Sequence, residues 1–103
     1  MCALKPSKTA GTLRTALISQ VVIVDGAMGT MLQAANPTMA DFQDHDGCNE
    51  ILNVTRPEVV AEIHQKYFEA GVDAVETNTF GANWANLAEY GIEDRIYELA
   101  FAG

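Results

Sequence analysis

Two stretches of this chain read as β-strands, Val21–Val24 and Asp73–Glu76, and the long connection between them carries a strong helix signal. Strand, helical crossover and strand in that order predict a right-handed parallel βαβ unit. Val21-Val22-Ile23-Val24 is apolar at every position, as expected for a strand covered on both faces. Each run ends in a polar residue and then breaks into a turn. The first gives Asp25-Gly26-Ala27-Met28-Gly29-Thr30 and the second Glu76-Thr77-Asn78-Thr79-Phe80. In parallel α/β proteins the residues just past a strand's carboxyl end are where ligands bind. The two turns therefore read as two edges of one site.

The clearest helix begins at Thr55-Arg56-Pro57-Glu58, which has the form of a capping box: Thr55 as N-cap, Pro57 in the first turn, Glu58 reaching back to the cap amide. Val59, Val60, Ile63, Tyr67 and Phe68 follow as one apolar stripe, and Gly71 supplies the stop. Shorter helices are expected over Thr12–Ile18, Thr30–Ala35, Ala82–Glu89 and Ile92–Ala102, the last with Ile92, Ile96, Leu99 and Ala100 on one side. Residues 1–11 read as a flexible tail and 36–50 as an irregular polar loop. Two parallel strands leave both sheet edges open and cover too little apolar surface for an independent domain, so the chain reads as a fragment.

With 103 residues, 49% hydrophobic and 19% charged, the sequence suits one small globular domain. The net charge of −8 argues against nucleic acid as a partner, because phosphate binding needs clustered Lys and Arg. No apolar run approaches the roughly 20 residues that span a bilayer, and a cytoplasmic location is expected. Thirteen of the fourteen acids lie at or beyond Asp41, leaving an acid-free start that also fits a transit peptide. No secretory signal is evident, so Cys2 and Cys48 are expected to be free thiols.

A carboxylate at Asp25 can accept hydrogen bonds from a ligand ammonium group, and the Gly26 and Ala27 amides suit a ligand carboxylate. An amino acid carries both groups on one carbon. The competing reading is that Asp25 only caps the turn. Glu76 close to Asp25 is costly unless a cation or several donors lie between them. Thr77 and Asn78 fit strand-end hydrogen bonding as well as a site role. His45 and Cys48 have the spacing of a metal pair, but two ligands do not make a zinc site. His64, Trp84 and Phe80 read first as packing or surface residues. Asn53-Val54-Thr55 is a glycosylation sequon, although Thr55 fits the N-cap role better.

Four blocks carry a resemblance: Val24-Asp25-Gly26-Ala27-Met28-Gly29-Thr30-Met31-Leu32-Gln33, Cys48-Asn49-Glu50-Ile51-Leu52-Asn53, Thr55-Arg56-Pro57, and Glu76-Thr77-Asn78-Thr79-Phe80-Gly81. In order and spacing they resemble the start of the cobalamin-dependent methionine synthases, from about Thr12 to the end of the chain. The resemblance implies an α/β fold, the first two βα units of a (β/α)8 TIM-type barrel, incomplete because such a barrel needs about 250 residues. Residues 12–103 would then be the N-terminal part of a homocysteine-binding domain, and Thr12–Ile18 the helix before the first strand, which weakens the transit-peptide reading.

The resemblance further implies homocysteine as substrate, held at its amino group by Asp25 and at its carboxylate by the Gly26–Ala27 amides. Met28, Glu76, Asn78 and Phe80 would line the same pocket. It implies zinc to activate the homocysteine thiol, methylcobalamin on a later module of the same polypeptide as methyl donor, and 5-methyltetrahydrofolate as the ultimate donor. The zinc and cobalamin ligands fall outside this chain, and the chain alone is expected to be inactive. An S-methylmethionine- or betaine-dependent homocysteine methyltransferase and a small non-enzymatic interaction module are the alternatives.

Overall fold

The computed structural model describes residues 8–103. Helix α1 spans Lys8–Ser19 and α2 spans Gly29–Ala34. A 3-10 turn at Asn49–Ile51 runs into α3, Leu52–Thr55, and then α4, Pro57–Ala70. Helix α5 covers Trp84–Glu89, and a second 3-10 turn, Glu93–Arg95, leads into α6, Ile96–Ala102. The tail expected over 1–11 falls partly outside the described residues; from Lys8 onward the chain is helical.

The expected α/β class, two βα units of a (β/α)8 barrel, is corrected by this structure. Among the described residues no strand forms; Val24 and Ala74 make one isolated parallel bridge. The Asp25 N–H donates to Ala74 O at 3.2 Å, and the Asp73 N–H donates to Ile23 O at 2.8 Å. The Ile23 N–H goes instead to the Asp73 carboxylate, at 2.9 Å. A side chain thus takes the donor that would have extended the pairing. Val21 is 86% exposed and Ile23 57% exposed. β-propensity reflects fit to a covered, pleated surface, and here no layer lies over these side chains.

The helices follow local chemistry more closely. Pro57 occupies the first turn of α4, and Gly71 ends it at φ 105°, a left-handed conformation open to glycine at little cost. The capping box does not form. Thr55 closes α3, and its hydroxyl donates to Asp41 O at 2.6 Å and Ile51 O at 3.2 Å, leaving Arg56 as the cap residue. Glu58 pairs with the Arg56 guanidinium rather than the cap amide. Asn83 caps α5, its side-chain oxygen accepting the Asn86 N–H at 2.9 Å.

Two apolar clusters hold these helices together. Leu32, Phe42, Leu52, Val59, Val60 and Ile63 form the first, joining α2 and α3 to α4. Cys48, Ile51, Leu87, Ile92 and Leu99 form the second, joining the 49–51 turn to α5 and α6. Each fully buried leucine contributes about 1.5–3 kcal/mol relative to exposure. Phe68, expected in the α4 stripe, is exposed instead. The adjacent residues Ile51 and Leu52 serve different clusters, so the short Asn49–Thr55 segment is the joint between the two halves of the core.

Candidate functional site

The backbone bridge brings the two polar turns together. The Glu76 N–H donates to Asp25 Oδ1 at 3.1 Å, and Asp25 is half-buried while the Glu76 side chain is exposed. The like-charge cost expected of this pair is relieved by geometry: Asp25 meets the main chain of Glu76. Gly26 and Ala27 are exposed beside them, and Met28 is half-buried against the first cluster. The Ala27 carbonyl is fixed by the Tyr67 hydroxyl, which donates to it at 2.6 Å from helix α4. Tyr67 was legible only as part of an apolar stripe, and its polar end positions the first turn.

Asn78 and Phe80 stand at opposite extremes of exposure. Phe80 is 100% exposed. Asn78 is 7% exposed and turned inward, its Nδ2 donating to Asn49 O at 3.0 Å and Asn53 Oδ1 at 2.9 Å. Asn53, itself 3% exposed, donates to Asn78 O at 2.7 Å and Leu99 O at 3.1 Å. A sequon asparagine so enclosed is no acceptor for a glycan in the folded chain.

Glu50 completes this inner layer. It is 7% exposed, and Oε1 accepts the Gly81 N–H at 2.8 Å. Its other oxygen accepts from the Cys48 thiol at 3.7 Å. Burial first, and the Glu50 charge second, push the Cys48 thiol above its ordinary titration range. Between its two ends the second turn is tied to itself: the Thr79 N–H donates to Thr77 O at 2.8 Å, and the Ala82 N–H to Thr79 O at 3.0 Å. Glu50 and Asn53 belong to the Cys48–Asn53 block of the resemblance, but nothing in the spacing shows that they support the Glu76–Gly81 turn.

Among the described residues no three His, Cys, Asp or Glu side chains converge. His45 instead packs edge-on to Tyr90, ring centroids 6.1 Å apart. His64 borders a groove between α4 and the end of α6 together with Asn53 and Thr77, its Nδ1 buried and without a hydrogen-bond partner.

The Val24–Ala74 bridge and the Asp25 carboxylate hold the two turns side by side, with Gly26 and Ala27 exposed on the first. The chain belongs to the homocysteine S-methyltransferase family, whose model matches residues 22–103. It is 60% identical over 87 residues to the methionine synthase of Mycobacterium tuberculosis (strain ATCC 25618 / H37Rv), covering 84% of this chain and 7% of that protein. To the methionine synthase of Mycobacterium leprae (strain TN) it is 56% identical over 87 residues, with the same 84% and 7% coverage. The chain thus spans a small part of the length of these relatives. No solved structure matches it.

Proposed function

We propose that this chain contributes the first homocysteine-binding turns of a methionine synthase, an enzyme that transfers a methyl group to the sulfur of homocysteine. The observation that carries the reading is the Asp25–Glu76 contact, which joins the two turns within the family match, with Gly26 and Ala27 exposed next to Asp25 in the chain. In this reading Asp25 receives the homocysteine ammonium group and the amides receive its carboxylate. Met28 and Glu76 flank the ligand, and Phe80 closes over it from the exposed end of the second turn. Asn78 acts from behind the turn.

Methylcobalamin is the proposed immediate donor and 5-methyltetrahydrofolate the ultimate one, a reading that rests on the resemblance of the four sequence blocks to the cobalamin-dependent methionine synthases. Zinc, which lowers the pKa of a coordinated thiol, is part of the same proposal. Its ligands would come from residues outside this chain, since Cys48 is engaged with Glu50 and His45 with Tyr90. A cytoplasmic location is part of the same proposal. Among the described residues no helix is long and apolar enough to cross a membrane.

The test uses the full polypeptide that carries this chain, supplied with homocysteine and methylcobalamin. Methionine formation that weakens on Asp25→Ala, through a higher homocysteine KM, supports the reading. Methionine formed only from S-methylmethionine or betaine moves the protein to a different donor class, and no homocysteine binding at all removes the proposal.

A further inference from the structure

The second turn is built from the inside. Two buried side chains of the Asn49–Thr55 joint reach across to it: Glu50 to the Gly81 N–H at 2.8 Å and Asn53 to Asn78 O at 2.7 Å. Asn78 returns the contact through Asn53 Oδ1 at 2.9 Å and Asn49 O at 3.0 Å. The carbonyl of Leu99 in α6 is drawn into the same knot at 3.1 Å. Glu50 is a buried carboxylate outside every ion pair found among the described residues. A buried carboxylate without a cation is costly, and its best contact is one backbone N–H of this turn. The fit is also tight: a Cβ on Gly81 would lie 2.5 Å from Asn86 Nδ2 and closer still to Glu50 Oε1.

We propose that Glu50 and Asn53 are positioning residues for homocysteine binding, acting through Gly81 and Asn78 to fix where Glu76 and Phe80 stand. The inference rests on the homocysteine reading given above. Glu76 sits at one end of the turn, tied to Asp25, and Gly81 at the other, tied to Glu50. Releasing the Gly81 end lets the segment swing about its Asp25 anchor. A displacement of about 1 Å in a substrate-positioning element costs up to about 100-fold in activity.

The experiment is a comparison, in the full polypeptide, of wild type with Glu50→Ala, Glu50→Gln and Gly81→Ala. Homocysteine KM, kcat and amide exchange at Gly81 are measured for each. Glu50→Ala is expected to raise KM about tenfold or more with kcat changed less, and to lose protection at Gly81. Glu50→Gln keeps an acceptor oxygen and is expected to restore both readouts most of the way. Gly81→Ala breaks the same contact from the other side, so it tests the idea even if Glu50→Ala fails to fold. Exposed Gly81 with an unchanged KM overturns the proposal, as does a uniform loss of stability with KM and kcat falling together in both alanine variants. If wild type binds no homocysteine by calorimetry, the functional reading fails; if wild type and all variants bind alike, only the positioning role does.

Discussion

Asp25 accepts the Glu76 N–H at 3.1 Å, so the two acidic residues meet as carboxylate and peptide rather than as opposed charges. This separates two roles that Asp25 could play. Asp25→Asn retains an oxygen for the Glu76 amide and loses only the charge, whereas Asp25→Ala loses both. The asparagine variant is expected to keep near wild-type thermal stability while homocysteine KM rises about tenfold, the loss of roughly 1.4 kcal/mol of charge-assisted hydrogen bonding. The alanine variant is expected to lose about a further 1 kcal/mol in urea unfolding. Equal KM values in wild type and Asp25→Asn would reduce Asp25 to a turn cap.

Asn53 satisfies more of the structure than any other single side chain near the site. Its amide donates to two main-chain carbonyls from separate elements and accepts from Asn78. Asn53→Ala strips Asn78 O of its buried partner, while Leu99 O keeps the Gly103 N–H at 3.2 Å and Asn78 Nδ2 keeps Asn49 O at 3.0 Å. A buried group stripped of its partner costs about 1–3 kcal/mol, so the variant is expected to lose about that much stability. Equilibrium unfolding in urea checks this, with a loss under 1 kcal/mol counting against a structural role.

What the sequence made legible is what short-range chemistry decides. Pro57 and Gly71 bound α4 because a fixed φ and a left-handed stop act within a turn of the residue that supplies them. That the Asp25 and Glu76 turns meet was also readable. The errors share one cause. Thr55 looks like a cap until the Asp41 carbonyl, fourteen positions earlier, takes its hydroxyl. Asn78 left two readings open, strand-end hydrogen bonding or a site role, and its turn inward to Asn49 and Asn53 depends on residues 25 or more positions away. Val21 and Ile23 look like a buried strand, yet what decides strand formation is a covering layer that their own composition cannot provide.

Asp41 gives a prediction about acid. The Thr38 N–H donates to its carboxylate at 2.8 Å, and this bond, with help from Arg56 at 3.0 Å, holds Asp41 below its ordinary value of 3.8. Glu58 is lowered likewise by Arg56. A carboxylate depressed in the folded state contributes stability that is whole above the unfolded value and fades as pH falls through the folded one. The melting temperature of wild type is therefore expected to exceed that of Asp41→Asn by a constant margin above pH 5. The two curves should converge below about pH 3.8. A margin that persists undiminished to pH 2 would mean that Asp41 acts through packing.

Cys48 gives the opposite sign at alkaline pH. The thiol is fully buried in the second cluster, and burial together with Glu50 raises it above its ordinary 9.0. The folded state thus favours the protonated thiol. Its contribution is intact below pH 9 and is lost as pH rises through the higher folded value. Tyr90, packed against the same cluster, is raised as well by burial and by nearby negative charge, so a single alkaline melting curve would mix the two. Comparison with Cys48→Ala isolates the thiol: the variant loses a constant increment for its small cavity, and that gap to wild type should narrow as pH climbs beyond 9. Alkylation supplies the kinetic counterpart. At pH 8 iodoacetamide should modify Cys48 at least about tenfold more slowly in the folded chain than in urea, the ratio given by an opening free energy of about 1.4 kcal/mol. Equal rates in the two conditions would show that the joint between the two clusters opens freely.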